Sequence, residues 1–149
     1  MKNFIKGARR FYDSRAQAKF GRPEGASQNE IAAVETELGR TLPGAYREFL
    51  EWMGNDFEGI FRGTDCYLMH LLPNTAWLPE FIEEVGVVGV DTSTLVCFWS
   101  HHGYMAAWFD GAIRNDDPVC WAVSDSDDKV RSIGHFSDYL QRCIQDVVK

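Results

Sequence analysis

Residues 27–54, SQNEIAAVETELGRTLPGAYREFLEWMG, predict two short helices joined by a tight link. Ser27 and Glu30 have the spacing of a capping box, in which the serine hydroxyl accepts from the third helical N–H and the glutamate accepts from the N–H of the cap. Apolar side chains then recur at helical spacing, and Gly39 supplies the left-handed residue that ends such a helix. Pro43 suits the first position of the second helix, because its missing N–H has no partner there. The stretch determines a fold and contains nothing chemically reactive.

The size and composition of the chain fit one globular domain. It has 149 residues, of which 45% are hydrophobic and 13% aromatic, and these values exclude a disordered class. No apolar run approaches the roughly 20 residues of a membrane helix, and the N-terminal stretch lacks the apolar block of a signal peptide. We therefore expect a cytoplasmic protein with reduced, buried thiols at its four cysteines, which are Cys66, Cys97, Cys120 and Cys143.

Charge is distributed unevenly along the chain. The net charge is −7, yet residues 1–22 hold seven basic residues and one acidic residue, so the remainder is strongly acidic. An acidic body repels phosphates, which makes nucleic acid a poor partner, and it attracts a basic protein over about 8 Å at physiological salt. The alternative is a solvated surface with no partner.

The N-terminal residues predict an amphipathic helix. Phe4, Ala8 and Phe11 recur at helical spacing over residues 3–19, with basic side chains mostly off that stripe. Such a helix could lie on a membrane, but it is short and carries Asp13, so docking onto the acidic body is the preferred interpretation. The predicted organisation is a basic helix and its GRPEG link over residues 1–25, followed by a domain over residues 26–149.

The rest of the chain predicts one more helix pattern, four strands and a last helix. Residues 55–63 read as a loop with a short strand about Ile60, and Asn74 can cap a helix that Pro79 limits to about residues 79–85. Apolar runs predict strands at residues 95–99, 104–109 and 119–123, with a fourth at the edge over 130–133. Phe136, Leu140, Cys143, Ile144 and Val147 give one apolar face of a last helix. N-terminal helices, an antiparallel meander and a C-terminal helix make an α+β single domain.

No residue pattern predicts catalysis, a metal or a cofactor. His101 and His102 are adjacent, and neighbouring side chains on a strand point to opposite faces, so the two imidazoles cannot easily share an ion. Cys97 and Cys120 fall inside predicted buried strands, where a reactive thiolate is not expected.

A concentration of aspartates marks the second half of the chain. Three of them resemble the start of a calcium loop, but Val130 stands where that loop requires glycine and Phe136 where it requires glutamate. These side chains are predicted at strand ends, where loops carry function on a rigid scaffold. A solvated rim is the alternative. The aspartates are Asp110, Asp116, Asp117, Asp125, Asp127 and Asp128, with Arg114 among them.

Several blocks of the sequence resemble the SUKH superfamily, the domain shared by fungal Smi/Knr-type cell-wall-synthesis regulators and many bacterial immunity proteins. The opening signature is SxxEI followed by LGxxLPxxYxxFL up to residue 50. FRGTDC, WLPEFIEE, HxGY, DDPV and FSDYL then follow in the order of a bacterial subgroup. The resemblance covers about residues 26–144.

This resemblance implies an α+β domain with a bent antiparallel sheet flanked by helices, and a role without catalysis. Bacterial members typically bind a toxin, commonly a nuclease or another polymorphic-toxin effector, and block its active site. The chain departs from the subgroup at His102, which replaces a usual glutamine, and at His135, which replaces a usual serine cap. Residues 124–128 replace a more aromatic segment in a predicted recognition loop.

We therefore expect an immunity protein that binds a cognate toxin with a basic surface, with neither nucleic acid nor membrane as partner and no cofactor. The alternative is a housekeeping interaction module without a toxin. The predicted toxin-binding residues are the six aspartates Asp110, Asp116, Asp117, Asp125, Asp127 and Asp128, with Trp121 and His102 as anchors.

Overall fold

The computed structural model describes residues 3–149 and confirms an α+β single domain. Four antiparallel strands lie in the order β1-β2-β3-β4, so each strand pairs with its neighbour in the chain. The helices are α1 (Lys6–Arg15), α2 (Gln17–Phe20), α3 (Gln28–Leu38), α4 (Gly44–Met53), α5 (Leu68–Val85) and α6 (Phe136–Val147). The strands are β1 (Leu95–His101), β2 (Met105–Asp110), β3 (Val119–Ser124) and β4 (Asp127–His135).

The predicted capping box at the start of α3 is confirmed. The Ser27 hydroxyl accepts from Glu30 N–H at 3.1 Å, and the Glu30 carboxylate accepts from Ser27 N–H at 3.1 Å. Gly39 ends α3 with φ 77°, the left-handed conformation that the sequence predicted. Pro43 lies one position earlier than predicted, because its extended backbone makes it the cap of α4 rather than its first residue.

The N-terminal helix buries a different stripe from the one predicted. Ile5, Ala8, Tyr12 and Ala16 are buried in the main core, whereas Phe4 and Phe11 are only partly buried. The Tyr12 ring meets Trp52 edge-on at 5.3 Å, and its hydroxyl donates to Gly21 C=O at 2.6 Å. The helix also breaks near residue 16 instead of running to residue 19.

The basic side chains of α1 and α2 do not pair with the acidic body. Among residues 3–22 none forms a salt bridge with another described residue. Arg9 lies over the Trp52 ring at 5.3 Å, and α1 packs on α6 through its apolar face. Burial therefore holds α1 on the fold. The predicted boundary at residues 25 and 26 stays a prediction, and residues 1 and 2 of that segment lie outside the described residues.

The two faces of the sheet carry separate apolar cores. The main core contains Tyr46 of α4, whose ring centroid lies 5.4–6.1 Å from those of four phenylalanines: Phe49, Phe98, Phe109 and Phe136. The smaller core lies under α5, where Leu78, Phe81 and Ile82 pack against Cys97 and Trp108. Both faces of β1 and β2 are thus covered, and β1 is buried along nearly its whole length.

Helix α5 is much longer than the predicted residues 79–85, since it contains both Pro73 and Pro79. Each proline removes a backbone hydrogen bond, which tertiary contacts offset here. Asn74 is buried and is not a cap. Its amide donates to Asp65 C=O at 2.9 Å, and its side-chain oxygen accepts from the Ser100 hydroxyl at 3.0 Å. These bonds join the middle of α5 to β1 and to the segment before the helix.

The short strand predicted about Ile60 is wrong. Residues 57–63 form consecutive turns, and the buried Ile60 side chain packs in the main core. The nearest strand-like pairing is an isolated bridge between Asp65 and Ser100. Ile60 and Phe61, the two apolar residues between Gly59 and Gly63, are both buried in the main core, and the sequence pattern could not distinguish that packing role from a strand.

Candidate interaction surface

The meander places two turns at the same end of the sheet. Met105, which starts β2, pairs with His101 at the end of β1 and with Ser124 at the end of β3. Asp125 N–H donates to Tyr104 C=O at 2.8 Å and joins the turns directly. We call residues 101–104 and 124–128 the tip.

The predicted toxin-binding residues divide between two ends of the molecule. His102, Asp125, Asp127 and Asp128 lie in the tip. Asp110, Asp116 and Asp117 lie in or beside the β2–β3 connection, at the opposite end of the sheet. Strand β3 separates the two groups, and six residues of strand span about 20 Å. The structure thus does not bring the six carboxylates into one patch.

Asp117, at the opposite end, is engaged in holding α6. Its carboxylate accepts from Ser137 N–H at 2.9 Å and from the Ser137 hydroxyl at 2.5 Å. His135 occupies the cap position of α6 without a side-chain capping bond, and its ring lies 2.6 Å from Asp117 C=O. Asp117 therefore supplies the cap that the missing serine would give.

The other two aspartates at this end also form local hydrogen bonds. Asp110 accepts from Ala112 N–H at 2.9 Å in the turn after β2, and the Asp116 carbonyl accepts from Ala45 N–H at 2.8 Å at the start of α4. An open cleft of about 700 Å³ is lined by Asp116 together with Arg40 and Arg114. This end is therefore of mixed charge.

Of the three aspartates in the tip, only Asp127 forms side-chain bonds with described residues. Asp127 accepts from Lys129 N–H at 2.9 Å and pairs with Arg131. Asp125 and Asp128 are exposed, and their carboxylates form no hydrogen bond or salt bridge with the described residues. Asp65 adds a further half-exposed carboxylate next to the tip, 3.6 Å from the His70 ring. Only the fold brings Asp65 here, since it is distant in sequence.

Three aromatic rings lie beside these carboxylates. His101, His102 and Tyr104 surround the β1–β2 turn, and the His101 ring nitrogen lies 3.5 Å from the Thr64 hydroxyl. His102 has φ 48°, the only positive value for a residue other than glycine among residues 3–149. Tyr104 is 43% exposed. The predicted site contains His102 and not Tyr104, although the same HxGY element contains both.

Trp121 lies away from both groups, near the middle of β3. It pairs with Trp108, which is buried under α5, but Trp121 itself is 40% exposed because α5 packs over β1. Val119 is exposed on the same strand. On β3, Val119 and Trp121 are therefore accessible, whereas Val123 is buried in the smaller core.

Comparison with known families assigns this architecture. The family model described as SMI1 / KNR4 family (SUKH-1) matches residues 25–142. The chain belongs to this SUKH family. No curated protein is similar enough to match. The family match runs from the link before α3 into α6 and includes the whole tip, so the tip is part of the SUKH domain, whereas α1 and α2 precede the matched region.

The cysteines of this SUKH domain lie in surroundings that suppress thiolate formation. Burial raises the pKa of Cys97 and of Cys120 to about 12, and that of Cys143 to about 11. Cys66 is buried in the main core, which also raises the pKa of its thiol. A thiol with such a pKa is protonated at neutral pH and is a weak nucleophile.

Neither a metal-binding cluster nor a membrane-spanning helix is present among the described residues. Across residues 3–149, no three His, Cys, Asp or Glu side chains are grouped as a metal ion requires. None of the helices described combines the length and apolarity that crossing a membrane demands.

Proposed function

We propose that this SUKH protein is an immunity protein that binds a cognate bacterial toxin in the cytoplasm and occludes its active site, without catalysis. Membership of the SUKH family over residues 25–142 carries the proposal. The family contains bacterial immunity proteins, and the tip of this chain offers exposed carboxylates for contact with a basic protein partner.

The tip supports the proposal through its free charge. Asp125 and Asp128 are exposed and unpaired among the described residues, and they lie at the turn of the β3–β4 hairpin. Complementary charge accelerates the encounter with a basic partner more than it increases affinity. A nuclease fits this partner well, because its cleft must hold a phosphate backbone with cationic side chains.

The opposite end supports toxin binding less directly. There Asp117 caps a helix, and Arg40 and Arg114 line the same cleft as Asp116, so the charge at this end is mixed. We therefore assign the toxin contact to the tip. Trp121 remains a proposed anchor on the accessible part of the sheet.

The first experiment is co-expression with the product of the neighbouring gene. If that product is the toxin, growth is rescued and the two proteins co-purify. Absence of both rescue and co-purification would contradict a toxin partner at that locus and favour a housekeeping interaction module.

The second experiment tests the tip with charge-matched variants. Asp125→Asn with Asp128→Asn removes two tip charges, and Glu83→Gln with Glu84→Gln removes two exposed charges from α5. Stopped-flow association with the toxin should slow only for the tip variant, and its salt dependence should become flatter. Equal rates for the two variants would refute the tip as the contact while leaving immunity intact.

A further inference from the structure

We propose that the rings of His101, His102 and Tyr104 form a binding site for one arginine side chain of the partner. The identity of that partner rests on the proposed function, whereas the site itself does not. It is an open, three-sided box on the β1–β2 turn of the tip.

The ring geometry defines the box. The His102 and Tyr104 rings are nearly parallel, with an interplanar angle of 24° and centroids 6.1 Å apart. His101 stands perpendicular to both, at 72° to His102 and 88° to Tyr104, with centroid distances of 4.2 Å and 5.4 Å. The three rings thus form a cluster in which His101 stands edge-on to a nearly parallel pair, and groups of aromatic rings of this kind are how proteins form cages for cations.

The width of the box determines how a guest enters. A planar group held between two rings needs about 7 Å, since each contact requires about 3.5 Å. The 6.1 Å separation is slightly smaller, so the guest stacks at the outer rim of the walls. Both wall residues are exposed and can shift outward, whereas half-buried His101 keeps its place beside Thr64.

Neighbouring charges select a cation as the guest. Asp125 is tied to Tyr104 by its backbone N–H, so its free carboxylate stays within the tip. Asp65 reaches this end through its bridge to Ser100. Two cations lie nearby on β4: Arg131 is paired with Asp127, and Lys129 forms no salt bridge with a described residue, so the four carboxylates of this region outnumber the cations. The excess of negative charge favours a positive guest over a neutral or acidic one.

Arginine fits better than lysine. Its planar guanidinium stacks on aromatic faces while its N–H groups point outward to a carboxylate, whereas an ammonium is a compact, strongly hydrated charge. The stacked Tyr104 and His102 rings offer the faces, and Asp125 offers the acceptor.

The wall residue His102 has a backbone conformation that is costly for a residue with a Cβ atom. His102 and Gly103 both have positive φ in the turn that Tyr104 N–H closes onto His101 C=O at 3.1 Å. Glycine or asparagine adopts this conformation more readily than histidine. An outlier of this kind at an exposed turn points to a role for the side chain.

An NMR titration with a short peptide tests the box without any toxin. The probe is acetyl-Gly-Arg-Gly-amide, and the matched control contains citrulline, which has nearly the same shape and no charge. The arginine peptide should shift the backbone amides of Gly103, Tyr104 and Asp125 and saturate at millimolar concentration, whereas the citrulline peptide should shift none of them. Equal shifts from both peptides, or shifts confined to other surfaces, would overturn the proposal.

Two variants decide whether the rings are responsible. Tyr104→Leu keeps an apolar side chain without a π face, and His102→Gly removes a wall while preserving the turn. Each should weaken arginine binding at least fivefold, with the remaining amide spectrum unchanged as evidence of folding. Unaltered binding by both variants would refute the box. Rescue of growth by the toxin test would then still stand, so the two proposals fail separately.

Discussion

Replacing Asp117 by alanine should destabilise the fold by about 1.5 kcal/mol without affecting the tip. The carboxylate holds Ser137 N–H and the Ser137 hydroxyl at the first turn of α6. Loss of a capping side chain costs about 0.5–2 kcal/mol, and a carboxylate at a helix N-terminus adds a favourable interaction with the helix dipole. Ser137 is half-buried, so water replaces the lost acceptor only in part.

Urea unfolding followed by circular dichroism measures this cost. For a chain of this size, 1 kcal/mol corresponds to about 2–4 °C in Tm, so the thermal midpoint should fall by about 3–6 °C. Asp128→Ala is the matched control, because it removes the same charge from an exposed residue in the tip. Its stability should stay within about 0.5 kcal/mol of the parent.

The two variants should behave in opposite ways in toxin binding. Asp117→Ala should associate at the parental rate once folded, and Asp128→Ala should associate more slowly. A fully stable Asp117→Ala protein with impaired association would refute our reading of Asp117 as a cap and return it to the interface.

Three further predictions concern the core. Gly25→Ala should cost about 2–3 kcal/mol in urea unfolding, because the added methyl carbon would lie 1.7 Å from Glu51 C=O; parental stability would contradict this close approach. Asn74→Ala should cost about 2 kcal/mol, because the buried Ser100 hydroxyl would lose its acceptor and Asp65 C=O would keep only Ser100 N–H as a donor; a loss below about 0.5 kcal/mol would refute that role. Burial raises the pKa of Cys97 and Cys120 from 9.0 to about 12, so the unfolded chain loses these protons first and stability should fall as pH rises from about 9 towards 12. Replacing both by serine should lessen that fall, and an identical alkaline profile would contradict it.

The parts of the fold that sequence predicted well are those set by local contacts. The Ser27 and Glu30 box needs only residues three positions apart, and Gly39 follows from the helix that it ends. The strand order of a meander also follows from short connections between consecutive apolar runs.

The elements that sequence missed depend on distant contacts. Helix α5 continues through Pro79 because Asn74 and other buried groups tie it to β1, more than 20 residues away. The stripe of α1 includes Tyr12 because Trp52 of α4 lies against it. Neither partner can be read from the local pattern, so helical spacing alone selected Phe11 instead.

The division of the predicted site was partly within reach of sequence reasoning. An antiparallel meander puts successive connections at alternate ends of the sheet, so Asp117 before β3 and Asp125 after it had to lie apart. The sequence could not predict the hydrogen-bond partner of each carboxylate. Only the folded chain shows that the Asp117 carboxylate binds Ser137, 20 residues later, while the Asp125 carboxylate has no hydrogen-bond or salt-bridge partner among the described residues.

The residues of the tip and the residues that stabilise the SUKH domain lie in different parts of the fold. Tip residues such as His102, Tyr104 and Asp125 are exposed and hold few buried contacts, so substituting them should cost less than about 0.5 kcal/mol each. The stability of the domain thus depends little on these tip residues and mainly on Tyr46 and its aromatic neighbours, which hold the sheet to the helices. The residues of the two tip turns can therefore change while the stability of the domain is preserved, as recognition of a new partner would require, whereas changes at Asp117 cannot be made so freely.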